Sequence, residues 1–296
     1  MSALVILGSG FDIDLGLKNS CADYARSHLS PVVGNEYWSA FEKTLRDEVI
    51  KWYNNGRNEE KAKMLNLLWR DYVKNISWFF TDKSDVFFEK KNKKGRKIRK
   101  VQTSCAYWFL KQIKANCKSK IYTFNYTNPF EYVDLPQLKD FIHLHGKHYK
   151  DTFEKALMVM SQGPNIIFGI DECIPQDGIN NPSIHPLVKK YHPQYKKTDI
   201  IADLLNAENV IFYGFSMGTI DYGYFEEFFN AICNGTASCK KFYYVTYNKK
   251  GLKDFIENLK ANNQNIDDIL HQVSIIPIYT RKGFKNRDFR MMLRRL

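Results

Sequence analysis

Residues 3–17 read Ala-Leu-Val-Ile-Leu-Gly-Ser-Gly-Phe-Asp-Ile-Asp-Leu-Gly-Leu. The run from Ala3 to Leu7 is continuously apolar, which is typical of a parallel strand that is buried on both faces. Gly8 and Gly10 follow at once, and glycine lets the backbone turn sharply and approach a ligand closely. Because amide groups exposed at such a turn attract phosphate, the stretch predicts the first strand of an α/β sheet followed by a nucleotide-binding turn.

A tight strand-to-helix turn without a ligand is the other interpretation of this stretch. Gly8, Gly10 and Ile13 occupy the three glycine positions of the Gly-x-Gly-x-x-Gly fingerprint, so the third glycine is missing. No acidic strand end follows at the distance found in dehydrogenases. The glycines therefore predict a turn, and residues elsewhere must decide whether it binds a nucleotide.

The composition is that of a folded protein. Of the 296 residues, 44% are hydrophobic and 26% are charged, and this length allows one or two domains. No apolar stretch approaches the roughly 20 residues that span a bilayer. We interpret the N-terminal apolar run as a core strand and not as a leader peptide, so we expect a cytoplasmic protein without a membrane partner.

Six cysteines are scattered along the chain, and no two of them form a Cys-x-x-Cys pair. This spacing excludes a zinc ribbon and a small disulfide scaffold. We therefore expect reduced thiols with mostly structural roles. The cysteines are Cys21, Cys105, Cys117, Cys173, Cys233 and Cys239.

Much of the net charge of +12 lies in two segments, with eight lysines and arginines in residues 90–100 and seven in residues 281–295. We expect the segment 90–100 to be exposed and mobile, because it has almost no apolar residues to offset the entropy of ordering. Neither segment has the interleaved aromatic residues of a single-strand binding surface. Nucleic acid is nevertheless a candidate partner through these basic segments.

Apolar residues recur at helical spacing over residues 37–80, with a turn at 54–56, and a further helix is predicted from residue 101 to about residue 117. Strand and helix patterns then alternate. The predicted strands are 121–125, 140–146, 166–170, 209–216 and 242–248, and the predicted helices are 198–207, 221–233 and 251–262. We therefore predict an α/β fold with a doubly wound, mostly parallel sheet, in one domain over residues 1–296. A large helical insertion, residues 23–116, follows its first strand.

Polar residues follow five of the apolar runs. Ligands of open parallel sheets bind beyond the carboxyl ends of the strands, so we expect these residues to line one crevice. They are Gly8 to Asp14, Asn125, His145, Gly214 to Ser216, and Asn248.

Residues 7–17, 123–127, 143–146 and 212–216 together resemble the bacteriophage abortive infection AbiH family, over nearly the whole chain. The same residues are similar to a divergent form of the sirtuin-like domain of anti-phage NAD-hydrolysing proteins. The resemblance implies a Rossmann/sirtuin-like sheet and a role in anti-phage defence. It also implies NAD as substrate or ligand, cleaved at the nicotinamide–ribose bond.

The resemblance also implies the site residues. Asn125 and His145 correspond to the strand-end asparagine and the histidine before glycine that surround the nicotinamide ribose. The chemistry of glycosidic cleavage adds Asp12, which we expect to stabilise the cationic ribose, and His145 as the general base. The expected catalytic residues are therefore Asn125, His145 and Asp12, and the expected NAD-binding residues are Gly8, Ser9, Gly10, Phe11, Gly214, Ser216 and Asn248. Gly214 and Ser216 would lie near the phosphates and the adenosine ribose, and Asn248 at the adenosine end. No metal is expected.

The chain departs from the sirtuin pattern at the glycine turn. Phe11 and Asp12 replace a small residue and a serine or threonine, and four zinc cysteines are absent. Protein deacetylation is therefore not expected.

Two other functions use the same residues. His143 with His145, and Asp12 with Asp14, have the spacing of metal ligands, which would suit a metal-dependent phosphoesterase or nuclease. A sensor that binds a nucleotide without turnover is the third interpretation. A phage-derived trigger and a second copy of the chain are the remaining candidate partners.

Overall fold

The structure is a computed structural model of the chain. It describes residues 3–17, 38–82, 89–91, 97–99, 103–113, 118–133, 135–137, 139–146, 166–192, 195, 197–262 and 265–296. The chain divides into two compact units. The first unit comprises Met1–Lys18, Asp85–His143 and Lys196–Leu296, and the second comprises Asn19–Ser84 and Leu144–Tyr195.

The strands of the described residues all belong to the first unit. They are β1 (Leu4–Leu7), β2 (Glu89–Lys91), β3 (Lys97–Arg99), β4 (Lys120–Thr123), β5 (Ile142–His143), β6 (Asn209–Tyr213), β7 (Lys241–Thr246) and β8 (Ser274–Tyr279). Six of them form one parallel sheet in the order β5-β4-β1-β6-β7-β8, and β2 pairs antiparallel with β3. The predicted α/β fold with a mostly parallel sheet is confirmed at this level.

The helices of the described residues are divided between the two units. Those of the first unit are α1 (Ser9–Leu15), α4 (Cys105–Gln112), α6 (Lys197–Asn206), α7 (Thr219–Tyr222), α8 (Glu226–Cys233), α9 (Lys249–Asn262), α10 (Ile266–Gln272) and α11 (Arg287–Leu293). Those of the second unit are α2 (Trp38–Asn54), α3 (Glu59–Asp82) and α5 (Gln176–Ile179).

Apolar residues cover both faces of the sheet. Alternate residues of a strand point to opposite faces, so β1 must be apolar throughout, and all four of its residues are buried. On one face, Val5 and Leu7 share a core with Phe11 of α1, together with residues of α4 and α11. On the other face, Phe212 of β6 packs edge-to-face against Phe242, with ring centroids 5.3 Å apart.

The strand order brings three strand ends together. From β1 the chain adds β4 and then β5 on one side, and then returns to place β6 on the other side of β1. Leu7 at the end of β1 pairs with Thr123 of β4 and with Tyr213 of β6. The residues that follow these three strands therefore leave the sheet at the same edge.

The second unit contains the predicted aromatic helices. α2 ends at Asn54 and α3 begins at Glu59, so the predicted turn is confirmed, and the indole of Trp52 donates a hydrogen bond to the Asn58 carbonyl across it at 2.8 Å. Phe41 stacks on Tyr72, with ring centroids 3.7 Å apart. Both rings pack, as their helical spacing predicted.

Residues 166–170, predicted as a strand, do not join the sheet. Ile166 forms an isolated bridge with Gly146, Ile170 forms one with Val188, and the segment belongs to the second unit. A short apolar run does not determine whether it pairs with a sheet or packs in another core, and here the partners are residues of the second unit.

Three elements at the carboxyl-terminal end were not predicted, the helix α10, the strand β8 and the helix α11. Pro277 lies inside β8 and weakens its sequence pattern, but β8 is the edge strand of the sheet and pairs only with β7. An edge strand tolerates proline because one of its sides needs no ladder hydrogen bonds.

The basic segment 90–100 overlaps the antiparallel strands β2 and β3, and Lys90 pairs with Ile98. Residues 92–96, and the exposure and mobility expected of the segment, lie outside the described residues. The single domain over 1–296 and the insertion at 23–116 stay predictions.

Candidate functional site

Glycine backbones meet at the edge where β1 and β6 end. Gly8 donates its amide hydrogen to the Tyr213 carbonyl at 3.0 Å, and Gly10 donates to the Gly214 carbonyl at 2.9 Å. Gly214 has a φ of 61°, and a Cβ placed on it would lie 2.3 Å from the Phe11 nitrogen. The two amides of the turn are engaged within the protein, so this backbone contact accounts for the glycines without a ligand.

Of the other residues of the turn, Ser9 lies at the surface and Phe11 lies in the core. Ser9 is exposed and Gly10 is half-buried. Phe11 is fully buried and packs edge-to-face on Tyr213, with ring centroids 4.9 Å apart. The ring of Phe11 thus contributes to the core, and the surface that the turn offers a ligand is formed chiefly by Ser9.

Both carboxylates of the Asp-x-Asp pair bind protein groups. The hydroxyl of Thr127 donates a hydrogen bond to Asp12, which is fully buried. Asp14 Oδ2 accepts hydrogen bonds from the Tyr213 hydroxyl at 2.7 Å and from the Ala106 amide, near the start of α4, at 2.8 Å. Among the described residues there is no group of three or more His, Cys, Asp or Glu that could hold a metal ion.

The surroundings of Asp14 keep two acids protonated. Burial, followed by the negative charge of Asp14, raises the pKa of the Cys105 thiol to about 12. Burial, followed by the charge of Asp14, also raises the pKa of Tyr213 well above its usual range. Both groups are therefore neutral at physiological pH. Together with Asp14 they form a structural cluster between α1, α4 and β6.

Asn125 lies directly beside the glycine turn. The residue is 7% exposed, and its Nδ2 donates a hydrogen bond to the Gly8 carbonyl at 3.0 Å. The Asn125 carbonyl lies 2.9 Å from Nδ1 of His143. Within the described part of the chain no hydrogen bond to Oδ1 of Asn125 is found. The side chain is held in a fixed orientation and keeps one acceptor for a ligand at this edge.

His145 belongs to the second unit and lies beyond the end of β5, which closes at His143. It is buried, and its carbonyl accepts a hydrogen bond from the Ile167 amide at 2.7 Å. Burial, and then the positive charge of Lys189, lower the pKa of His145 well below 6.5. The imidazole is therefore neutral at physiological pH.

Lys189 belongs to a buried ion pair of the second unit. Its Nζ lies 3.0 Å from Oε1 of Glu42, which also accepts a hydrogen bond from the Gly169 amide at 3.2 Å. Burial raises the pKa of Glu42, and the charge of Lys189 opposes this shift. A charged pair in such surroundings is unusual, and sequence analysis did not identify it because its members are distant in the chain.

The remaining predicted binding residues lie after β6 and β7. Ser216 is exposed, and its carbonyl accepts a hydrogen bond from Asn258 at 2.8 Å. Asn248 Oδ1 accepts from the amides of Lys250 at 3.0 Å and Gly251 at 3.2 Å, so Asn248 caps α9. Neither residue is in the core, and both remain at the edge where the strands end.

A cavity of about 380 Å³ opens beside Asn248. Sequence analysis identified Asn248 but none of the other six lining residues, and three of those six, Tyr279, Arg281 and Lys282, lie at or after the end of β8, a strand that was not predicted. The only advance signal was the basic run that begins at residue 281. The cavity is lined by Tyr247, Asn248, Lys249, Lys250, Tyr279, Arg281 and Lys282.

A sequence model of the family described as bacteriophage abortive infection AbiH matches residues 4–244. The chain belongs to the AbiH family. No curated protein and no solved structure matches it. The match runs from β1 into β7, so it includes the glycine turn, Asn125, His145 and Gly214. This AbiH protein therefore has a role in abortive infection, which is a form of anti-phage defence.

The composition predicted no membrane-spanning segment and reduced cysteines, and the structure bears on both. None of the helices in the described ranges is long and apolar enough to cross a membrane. Cys105, Cys173, Cys233 and Cys239 are free thiols, and Cys21 and Cys117 lie outside the described residues.

Proposed function

We propose that this AbiH protein hydrolyses NAD at the nicotinamide–ribose bond and thereby depletes the dinucleotide of an infected cell. The strand order carries the proposal. Counted along the chain within the parallel sheet, the strands lie in the order 3-2-1-4-5-6, which reverses between β1 and β6. Doubly wound sheets of this Rossmann order bind dinucleotides in the crevice at the reversal.

The residues at that reversal suit the ribose end of a dinucleotide. The Asn125 amide is held by Gly8, so Oδ1 can bond to a ribose hydroxyl or to the attacking water in a fixed geometry. Asp12 lies beneath the turn, and in its ionised form it stabilises the positive charge that develops on the ribose. Ser9 and Ser216 are exposed at this edge and remain the proposed contacts to the phosphates.

The reaction breaks the bond between the ribose C1′ and the nicotinamide nitrogen. Nicotinamide leaves with the bonding electron pair and becomes neutral, and the oxygen of water bonds to C1′. The proton that water loses passes to a general base, and neutral His145 is the base that we propose. ADP-ribose, nicotinamide and one proton are the products.

The contacts of Asp14 favour this reaction over metal-dependent hydrolysis. Asp14 accepts hydrogen bonds from Tyr213 and Ala106, so the second carboxylate of the Asp-x-Asp pair that a metal site would need already binds protein groups. The NAD-binding roles of Gly8, Gly10, Phe11, Gly214 and Asn248 remain part of the proposal.

Incubation of the purified protein with NAD, with and without EDTA, tests the proposal directly. We expect nicotinamide and ADP-ribose by chromatography in both samples. Asn125→Ala and His145→Ala should each lower kcat/KM, the latter by about 10²–10⁴-fold as for loss of a general base. Matched substitutions Asn206→Ala and His271→Ala, at exposed positions of α6 and α10, should leave the rate unchanged.

The pH profile adds a second readout for His145. Because its pKa lies well below 6.5, the rate should stay level as the pH falls from 8 to 6.5 and decline only below that. Intact NAD bound without turnover would replace the proposal with a sensor. Cleavage of nucleic acid that requires a divalent cation, with NAD untouched, would replace it with the metal-dependent function.

A further inference from the structure

The cavity at the ends of β7 and β8 is a second candidate site, which we call the basic groove. Its residues are Tyr247, Asn248, Lys249, Lys250, Tyr279, Arg281 and Lys282. All of them except Asn248 are absent from the proposed NAD site. The whole groove lies beyond residues 4–244, so the family match does not include it.

The pairing of β7 with β8 positions the walls of the groove. Thr246, the last residue of β7, pairs with Tyr279, the last residue of β8. The Arg281 amide then donates a hydrogen bond to the Tyr247 carbonyl at 3.3 Å. Opposite them, Asn248 caps the first turn of α9. The two tyrosines and the four cations are therefore attached to backbone that the sheet and the helix hold in place.

The groove is positively charged throughout. Among the residues that the structure describes, its lining contains four cations and no acidic residue. No ion pair or side-chain hydrogen bond of these cations is found within the described part of the chain. Lys249 and Lys250 lie in the first turn of α9, which has no acidic residue, and cations are unfavourable at that positive end of a helix. An anion in the groove would remove this repulsion.

Two aromatic rings distinguish the groove from an ordinary basic surface. Tyr247 is 64% exposed, although a tyrosine ring ordinarily buries most of its area, and Tyr279 is half-buried beside it. Exposed rings among cations allow bases to stack while the phosphates bind lysine and arginine. Further exposed cations follow along the chain, namely Lys285, Arg287, Arg290 and Arg294.

We propose that the basic groove binds single-stranded nucleic acid. Phosphodiester groups contact Lys249, Lys250, Arg281 and Lys282, and bases stack on Tyr247 and Tyr279. The sheet edge would thus hold a site for a polynucleotide beside the proposed NAD site, and none of the proposed nucleic-acid contacts uses Asn248, the residue that lines both. In an abortive-infection protein such a site gives the chain a means to detect nucleic acid during infection.

Fluorescence anisotropy with labelled 12-nucleotide poly-dT and poly-U strands tests the proposal on the full-length protein. Arg281→Ala/Lys282→Ala should weaken binding at least about tenfold and reduce the slope of log K against log salt by about 1.4, as expected for two lost phosphate contacts. The matched variant Lys240→Ala/Lys260→Ala removes the same charge from exposed positions outside the groove and should bind as the unmodified protein does.

Substitutions at Tyr247 separate stacking from charge. Tyr247→Phe keeps the ring and should retain binding, whereas Tyr247→Ala should lose about tenfold. Equal binding by all of these variants would overturn the proposal. So would competition by ATP or inorganic phosphate at the same concentration as the strand, because the groove would then be a site for small phosphates. Neither result depends on whether the protein cleaves NAD.

Discussion

At the scale of single residues, Gly214 lies in close backbone contact with the glycine turn. A Cβ on Gly214 would lie 2.4 Å from the Gly10 carbonyl carbon, whereas a Cβ on Gly235 would meet nothing within 4 Å. Both glycines have left-handed backbones, with φ of 61° and 68°. The pair therefore separates the cost of a left-handed alanine from the cost of a backbone clash.

We expect Gly235→Ala to lower the free energy of unfolding by about 1 kcal/mol, the usual cost of a left-handed alanine. Gly214→Ala adds the clash with Gly10 and Phe11, so it should cost about 3 kcal/mol or more, or yield no folded protein. Urea unfolding followed by circular dichroism measures both. Similar losses for the two variants would contradict the close contact at the end of β6.

At the scale of an element, Asn248 connects the end of β7 to the start of α9. Asn248→Ala should lower the free energy of unfolding by about 1 kcal/mol, because the amides of Lys250 and Gly251 lose their acceptor. Asn248→Asp keeps the acceptor and should retain the stability. Thermal unfolding compares the two variants, and equal stability would argue against the cap. If Asn248 also contacts adenosine, KM for NAD rises in both variants.

At the scale of the whole molecule, the first unit buries four weak acids in neutral form. Burial is the main cause in each case, and it raises the pKa of Cys105 to about 12 and that of Cys239 to about 11. The pKa values of Tyr213 and Tyr244 are raised as well. In the unfolded chain the two thiols begin to ionise at about pH 8.5 and the two phenols at about pH 10. At higher pH the unfolded chain releases protons that the folded chain retains, so stability falls.

We expect the free energy of unfolding to decline by about 1.4 kcal/mol per pH unit for each thiol above about pH 9 and for each phenol above about pH 10, until the folded pKa of that group is reached. Cys105→Ala removes one of them, so it should flatten the decline by that amount between pH 9 and the folded pKa of about 12. Urea unfolding at pH 8, 9, 10 and 11 measures the slope. Cys233→Ala, at a more exposed thiol, should flatten it less, and an equal effect would show that burial is not the cause.

Local patterns determined much of this protein from the sequence alone. The apolar run from Ala3 to Leu7 predicted a buried strand because a parallel strand covered on both faces has no polar position. Helical spacing predicted α2 and α3 with the turn between them, and the chain order of strands and helices predicted the parallel sheet. Each of these properties depends on residues that are neighbours in the chain.

Only the tertiary structure decided which groups meet. Asp14 accepts hydrogen bonds from Ala106 and Tyr213, which lie 92 and 199 positions away in the chain. These contacts give Asp14 a structural role, although the spacing of the Asp-x-Asp pair is also that of metal ligands. The ring of Phe11 lies in the core, where it packs on Tyr213. Residues 166–170 lie outside the sheet, because Ile166 and Ile170 pair with Gly146 and Val188 of the second unit. The basic groove unites Tyr247 with Arg281 only through the pairing of β7 with β8. Such contacts depend on strand order, which residue spacing does not encode.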